Sequence, residues 1–269
     1  MGISFPGQVP SEAIAFIKNK ALKVGFSYLD VWREEHSFAF TVAKAMQLDI
    51  LRAIRDEIVK ALNEGRTFEQ FKKELTPTLQ KLGWWGERPV MDPLSAKVKT
   101  AQLGSPRRLK TIYDTNMRQA RSAGQWERIQ RTKAALPYLR YGLGPSLEHR
   151  MEHAAWDGMT LPVDDPWWDS HMPMNGWGCK CRVRQVSQRE MDRNGWKITT
   201  PPPDNPKEWI NKRTGEVQMV PEGIDPGFDY NPGKDRQRQY DKMIRGKLQE
   251  ADPVIAKAAE KHLRMTIDD

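Results

Sequence analysis

Apolar side chains recur along this chain at helical spacing first, and at shorter, strand-like spacing later. From Pro10-Ser11-Glu12 a run through Ile14, Phe16, Ile17 and Leu22 holds a helical stripe and stops at Gly25, which predicts a short capped helix. A longer stripe through Phe38, Val42, Ala45, Met46, Leu48, Leu51, Ile54, Ile58, Val59 and Leu62 predicts one helix over 37–63, closed by Gly65. Thr67 and Gln70 form a capping box for a third helix through Phe68, Phe71 and Leu75, which Pro77 is expected to kink or split. In Gly83-Trp84-Trp85-Gly86 the paired indoles are expected to plug a core edge; the alternative is a base-stacking platform.

Ser105-Pro106 places an N-cap before a proline at the first helical position, and opens a helix expected to reach Ala123 before Gly124 weakens it. Residues 136–143 read as a strand entering, and 179–186 as a strand leaving, a stretch rich in turn formers: Asp157-Gly158, Asp164-Asp165-Pro166, Asn175-Gly176 and Gly178. A hairpin is expected around Lys212-Arg213-Thr214-Gly215. The composition turns helical from Asp235, and Asp252-Pro253 starts a last helix through Ile255, Ala258 and Leu263. The predicted fold class is α+β: a mainly helical N-terminal region over 1–90, a linker at 91–104, a small loop-rich α+β domain with little sheet over 105–233, and a helical tail over 234–269.

Composition narrows the function classes. With 269 residues, 38% of them hydrophobic, the chain can bury a core of modest size. No apolar run approaches the ~20 residues that a membrane span needs, and Met1 to Gln8 lacks the features of a signal peptide, so no membrane partner is expected. Two cysteines close together give no disulfide framework and fit a reducing compartment such as a bacterial cytoplasm. The net charge of +8 favours a polyanion partner, although 43 basic and 35 acidic residues are interleaved. At 100° per residue Arg107, Lys110, Arg118 and Arg121 share one stripe of the helix that opens at Ser105, with Leu109, Ile112, Tyr113 and Ala120 opposite. Such a stripe can contact double-stranded DNA or an acidic partner surface. It can equally be a solvated face on which Asp114 pairs with Lys110 or Arg118.

The chemistry-bearing residues concentrate in 148–183, which holds His149, His153, His171 and both cysteines. His153, His171, Cys179 and Cys181 supply the ligand types of a closed, structural tetrahedral Zn2+ site, although the cysteines are spaced C-x-C where such sites usually have C-x2-C. A disulfide between positions i and i+2 would be strained, with Cα atoms ~6.6 Å apart in an extended strand. The other reading makes the thiols small buried side chains and the histidines hydrogen-bonded scaffold. His149-Arg150-Met151-Glu152-His153 also spells H-x-x-E-H, the pattern of inverted zinc peptidases, but the run to Asp157-Gly158 is short for the helix this requires and no third acidic ligand is evident.

Arg150-x-x-His153, Asp157-Gly158, Leu161-Pro162, Asp164-Asp165-Pro166 and His171-x-Pro173-x-Asn175-Gly176-Trp177-Gly178-Cys179-Lys180-Cys181-Arg182-Val183 closely resemble the signature of the phage Mu protein F-like family of minor head proteins. The run from Val220 to Gly233 resembles the segment that follows this signature. Glu35-His36, Phe40-Thr41-Val42-Ala43-Lys44 and Gly83 to Gly86 resemble the helical region before it. The resemblance implies a low-copy virion component that acts with portal and capsid proteins in head morphogenesis, without catalytic residues or turnover. It places His149 and Glu152 at positions the motif does not require. Many members continue well beyond the signature, whereas this sequence ends at Asp269, so any role of such an extension is expected to be absent or carried elsewhere. Related domains occur in some toxin-bearing proteins, which keeps a metal-dependent hydrolase or effector enzyme as the alternative.

Overall fold

The computed structural model describes residues 10–253, 255 and 257–259. The expectations for Met1 to Gln8 and for Leu263 fall outside them. The chain runs α1 (Ser11–Lys18), β1 (Ala21–Leu22), β2 (Ala39–Phe40), α2 (Leu48–Glu64), α3 (Phe68–Lys81), β3 (Glu87–Asp92), β4 (Lys97–Gln102) and α4 (Pro106–Thr132). It continues with β5 (Tyr138–Gly142), α5 (Met151–Trp156), β6 (Thr160–Pro162), α6 (Trp168–His171), β7 (Arg182–Val186), α7 (Gln188–Asn194), β8 (Lys207–Ile210), β9 (Val217–Val220) and α8 (Pro232–Glu250). The fold is α+β with little sheet: among the described residues every sheet has two strands except the antiparallel β6-β5-β7.

Two hydrophobic clusters share one helix. The first gathers Phe16 and Ile17 of α1, Leu51, Ile54 and Ile58 of α2, Phe71, Leu75 and Leu79 of α3, and Leu109, Met117, Ala120 and Ala123 of α4. The second sets Trp126 and Ile129 of the same helix against Leu139 and Tyr141 of β5, Val183 of β7 and the indoles of Trp156, Trp167 and Trp168. Gly124 does not interrupt α4; it is the point of closest approach to α1, where an added Cβ would stand 2.9 Å from the backbone nitrogen of Ala13. Helix α8 packs back on α4, capped by the Asn231 side chain, which accepts from the amides of Gly233 and Lys234, and helical residues follow it at 253, 255 and 257–259, where a last helix is expected.

Several expected elements change at the ends. The helix predicted over 37–63 begins only at Leu48: Phe40 and Val42 reach the core from extended backbone, because β2 pairs in parallel with β1 and Gly25 bridges Ala45. That pairing also ends α1 at Lys18, well short of Gly25. Pro77 does not split α3, which runs unbroken to Lys81. The stretch expected as a linker at 91–104 contains most of an antiparallel hairpin, in which Pro89 faces Thr100. An exposed two-stranded edge tolerates proline and needs no buried stripe, so hydrophobic period does not reveal it. Trp84 plugs the first core as expected, 2% exposed, and its indole N–H donates to the Lys44 carbonyl at 2.9 Å.

Lys20 is the exception in this region, a lysine only 3% exposed. Its burial, reinforced by the Arg236 charge, pushes its pKa down from the usual lysine range to about 7. The unfolded chain therefore binds one more proton than the folded chain between about pH 7 and pH 10.5. Stability should rise across that window by up to about 1.4 kcal/mol per pH unit from this group alone. Denaturant titrations as a function of pH should show this slope in the native chain and lose it in Lys20→Met.

Candidate metal centre and basic cleft

The turn-rich stretch is held by one carboxylate. Asp225 accepts from Arg150 Nη2 at 2.8 Å and from the backbone N–H of Trp177 at 2.7 Å, while its own N–H donates to the Asn175 carbonyl at 2.9 Å. Arg150 Nη1 also donates to the Gly223 carbonyl at 3.3 Å. Asn175 is fully buried and accepts from the Tyr141 hydroxyl at 3.0 Å. Gly176 has no room for a side chain, because a Cβ there would stand 2.4 Å from Asp225 Oδ2 and 2.6 Å from Arg150 Nη1. The residues named from the signature and from the segment after it thus form one clamp between the loop at 175–181 and the run at 223–225.

That clamp brings three of the four expected metal ligands together. His153, Cys179 and Cys181 place one donor atom each within 4.8 Å of one another. His153 Nδ1 lies 3.6 Å from Cys181 Sγ and 4.0 Å from Cys179 Sγ, and Nε2 donates to the Gly223 carbonyl at 2.8 Å. The Nε2 bond fixes the tautomer that turns the Nδ1 lone pair toward the sulfurs, the usual outer-shell support of a metal-binding histidine. Cys179 is shifted toward thiolate by the Cys181 thiol, and also by His153, against the effect of burial; the Cys181 thiol is shifted the other way by Cys179 and by burial. The donor set of two sulfurs and one imidazole fits Zn2+ in type and leaves one position of a tetrahedron to another ligand.

His171 does not join them. Its ring stacks on Trp167 with centroids 4.2 Å apart, meets Trp156 edge-on, and lies 3.2 Å from the Trp167 carbonyl through Nδ1. Burial holds it well below the usual histidine range, at about 4, so it stays neutral scaffold near neutrality. The H-x-x-E-H pattern does not assemble either. His149 precedes the six-residue α5, is exposed, and lies 2.9 Å from the Gly144 carbonyl, whereas Glu152 lines a separate surface pocket with Lys207 and Glu222.

Arg118 and Arg121 of α4 line a cleft of about 260 Å3 with Lys180, Cys181 and Arg182, so one thiol of the candidate cluster and part of the basic stripe share one opening. Lys180 and Arg182 were missed by helix periodicity, since they reach the cleft from the loop and from the first position of β7. Lys110 is paired with Asp114 at 2.8 Å, as its i,i+4 spacing allows. Arg107, Arg118, Arg121 and Arg182 show no ion pair among the described residues.

Residues 52–184 match the family described as Phage Mu protein F like protein. The chain is 37% identical over 241 residues to a putative capsid assembly protein F of Escherichia phage Mu, covering 83% of this chain and 54% of that protein. The chain belongs to the phage Mu protein F-like family. A second member, the Mu-like prophage FluMu F protein of Haemophilus influenzae, is 34% identical over 199 residues, 72% of this chain and 47% of the relative. The chain thus spans about half the length of the curated relatives it matches. No solved structure matches it significantly. The family match covers α4, the clamp residues Arg150 and Asn175 to Trp177, and all three clustered ligands, and ends before Asp225.

The clamp predicts that Gly176→Ala will destabilise the protein by about 1–3 kcal/mol through overpacking. It will also raise the reactivity of Cys179 toward a thiol reagent, measured against the native chain at equal folded fraction.

Proposed function

We propose that the chain is a minor head protein of a tailed phage or prophage, acting with portal and capsid proteins in head assembly, carried in the virion and contacting packaged double-stranded DNA through α4. Its relationship to a protein named as a putative capsid assembly protein carries this reading. Two features support it. The basic side chains Arg107, Arg118 and Arg121 stand on one helix without ion pairs among the described residues, as phosphate-contacting groups must. The two hairpins β3-β4 and β8-β9 expose Met91, Leu94, Val98, Ile210, Val217 and Met219, apolar surface suited to contacts within a particle.

In this reading the thiol and imidazole cluster is structural, with Zn2+ held by His153, Cys179 and Cys181 to stiffen the loop beside the cleft. No helix among the described residues is long and apolar enough to cross a membrane, and no membrane partner enters the proposal. A hydrolytic role would need a base beside the metal ligands, and Glu152, the base its motif supplies, lines a different pocket.

Purified protein should carry roughly one zinc per chain. Cys179→Ser and Cys181→Ser should lose the metal while His171→Phe retains it; loss in His171→Phe would return that residue to the ligand set. Assembled particles should retain the native chain together with portal and capsid proteins. Reversal of Arg118 and Arg121 to glutamate should weaken duplex retention and reduce its salt dependence by about one counterion for each phosphate no longer neutralised. Retention unchanged across salt would show the face to be merely solvated.

A further inference from the structure

A second cavity, of about 260 Å3, lies between the N-terminal region, the first half of α4 and the loop at 226–228, remote from the thiol cluster in its lining residues. Aromatic rings form much of its wall. Tyr28 meets Trp177 edge-on at 5.8 Å, Trp177 meets Phe228 edge-on at 5.0 Å, and Trp32 is stacked on Trp209 at 4.7 Å. Tyr28 and Trp177 are 46% and 44% exposed, which places them at the mouth.

The polar side of the same cavity is one-signed. Lys20 lines it, 3% exposed; its Nζ sits 4.2 Å from the centroid of the Phe16 ring and makes no hydrogen bond or ion pair among the described residues. Thr41, also in the wall, has a buried hydroxyl without a hydrogen-bond partner among the described residues. Arg108 contributes a second cation, already committed to the carbonyls of Ala43, Gln102 and Leu103. Among the described residues no aspartate or glutamate lines this cavity. A buried ammonium without a counter-charge among the described residues is costly, and an idle hydroxyl in the same cavity wall adds to that cost; a ligand carrying one negative charge relieves the first and can satisfy the second. A single uncommitted cation matches a carboxylate better than a phosphate, which carries about two charges near neutral pH. The volume lies just under the ~300–1,000 Å3 of drug-sized sites, enough for one ring and a short polar head.

We propose that this cavity binds an aromatic carboxylate, its ring among Tyr28, Trp32, Trp177 and Phe228 and its carboxylate turned to Lys20 and the Thr41 hydroxyl. The ligand is either a free small molecule or the C-terminal residue of a polypeptide, two sources with the same chemistry.

Calorimetric titration of the full chain with 3-phenylpropionate, 3-phenylpropionamide, and a short peptide ending in phenylalanine as free acid or as amide tests this. Both acids should bind, and each neutral amide should bind about tenfold more weakly, the size expected when one charge-assisted hydrogen bond is missing. Lys20→Met, which removes a buried charge at similar volume, should fold and should bind acid and amide alike. Tighter binding of the peptide acid than of 3-phenylpropionate assigns the site to a chain terminus, and the reverse order assigns it to a small molecule. Should Lys20→Met not fold, Trp177→Ala at the exposed mouth should weaken both acids about fivefold or more. The proposal is overturned if no acid binds at millimolar concentration, if acids and amides bind equally to the native chain, or if Trp177→Ala leaves acid affinity unchanged.

Discussion

The Asp225 carboxylate is the constraint on which the signature region depends. A loop with few backbone ladders of its own has to be fixed by side chains, and this carboxylate meets a guanidinium on one side and a main-chain amide on the other. With Gly176 pressed against both partners, the loop cannot shift without breaking charge-assisted bonds in a partly buried place. Arg150, at the N-terminal edge of α5, is thereby tied to the same point as His153, one helical turn on. The sulfurs meet the imidazole because the loop that carries them is docked on the element that carries His153.

Helix α4 extends this order to the rest of the molecule. A helix of 27 residues serves one core with the part from Leu109 to Ala123 and the other with Trp126 and Ile129 of its last turns, so the N-terminal region and the signature region are packed on a common rod. Gly124 sits between the two duties, and its missing side chain lets α1 approach the rod closely. Arg107, Lys110, Arg118 and Arg121 of α4 lie opposite its apolar positions, on the stripe left largely to water, whereas Arg108 turns inward over the Trp84 ring. Arg118 and Arg121 thereby come to stand beside the loop that carries the thiols.

Aromatic packing explains which histidine remains free to meet the sulfurs. Trp156 and Trp167 cross edge-on at 5.6 Å, and His171 fills the angle between them, stacked on one and edge-on to the other. An imidazole held in that way is neutral and fully engaged. His153 also stacks on Trp156, at 5.0 Å, but keeps Nδ1 toward the thiols because its other nitrogen is committed to Gly223.

Local signals that depend only on neighbouring residues were legible in the chain: the Thr67/Gln70 capping box, Gly65 as the left-handed end of α2, the Ser105-Pro106 start of α4, and the hairpin turn at Gly215. The sequence by itself also determined the α+β class with little sheet, the family, and the stretch in which imidazole and thiol groups concentrate. Tertiary structure alone decided where the helix before Gly65 begins, because the parallel pairing of β1 with β2 competes with helical spacing at Phe40 and Val42. It alone decided that His153 and not His171 meets the cysteines, because ring stacking and a distant carboxylate choose between two histidines that look alike in sequence. It also left Lys20 buried without a counter-charge among the described residues, since burial depends on how distant parts of the chain pack and not on the residues beside it.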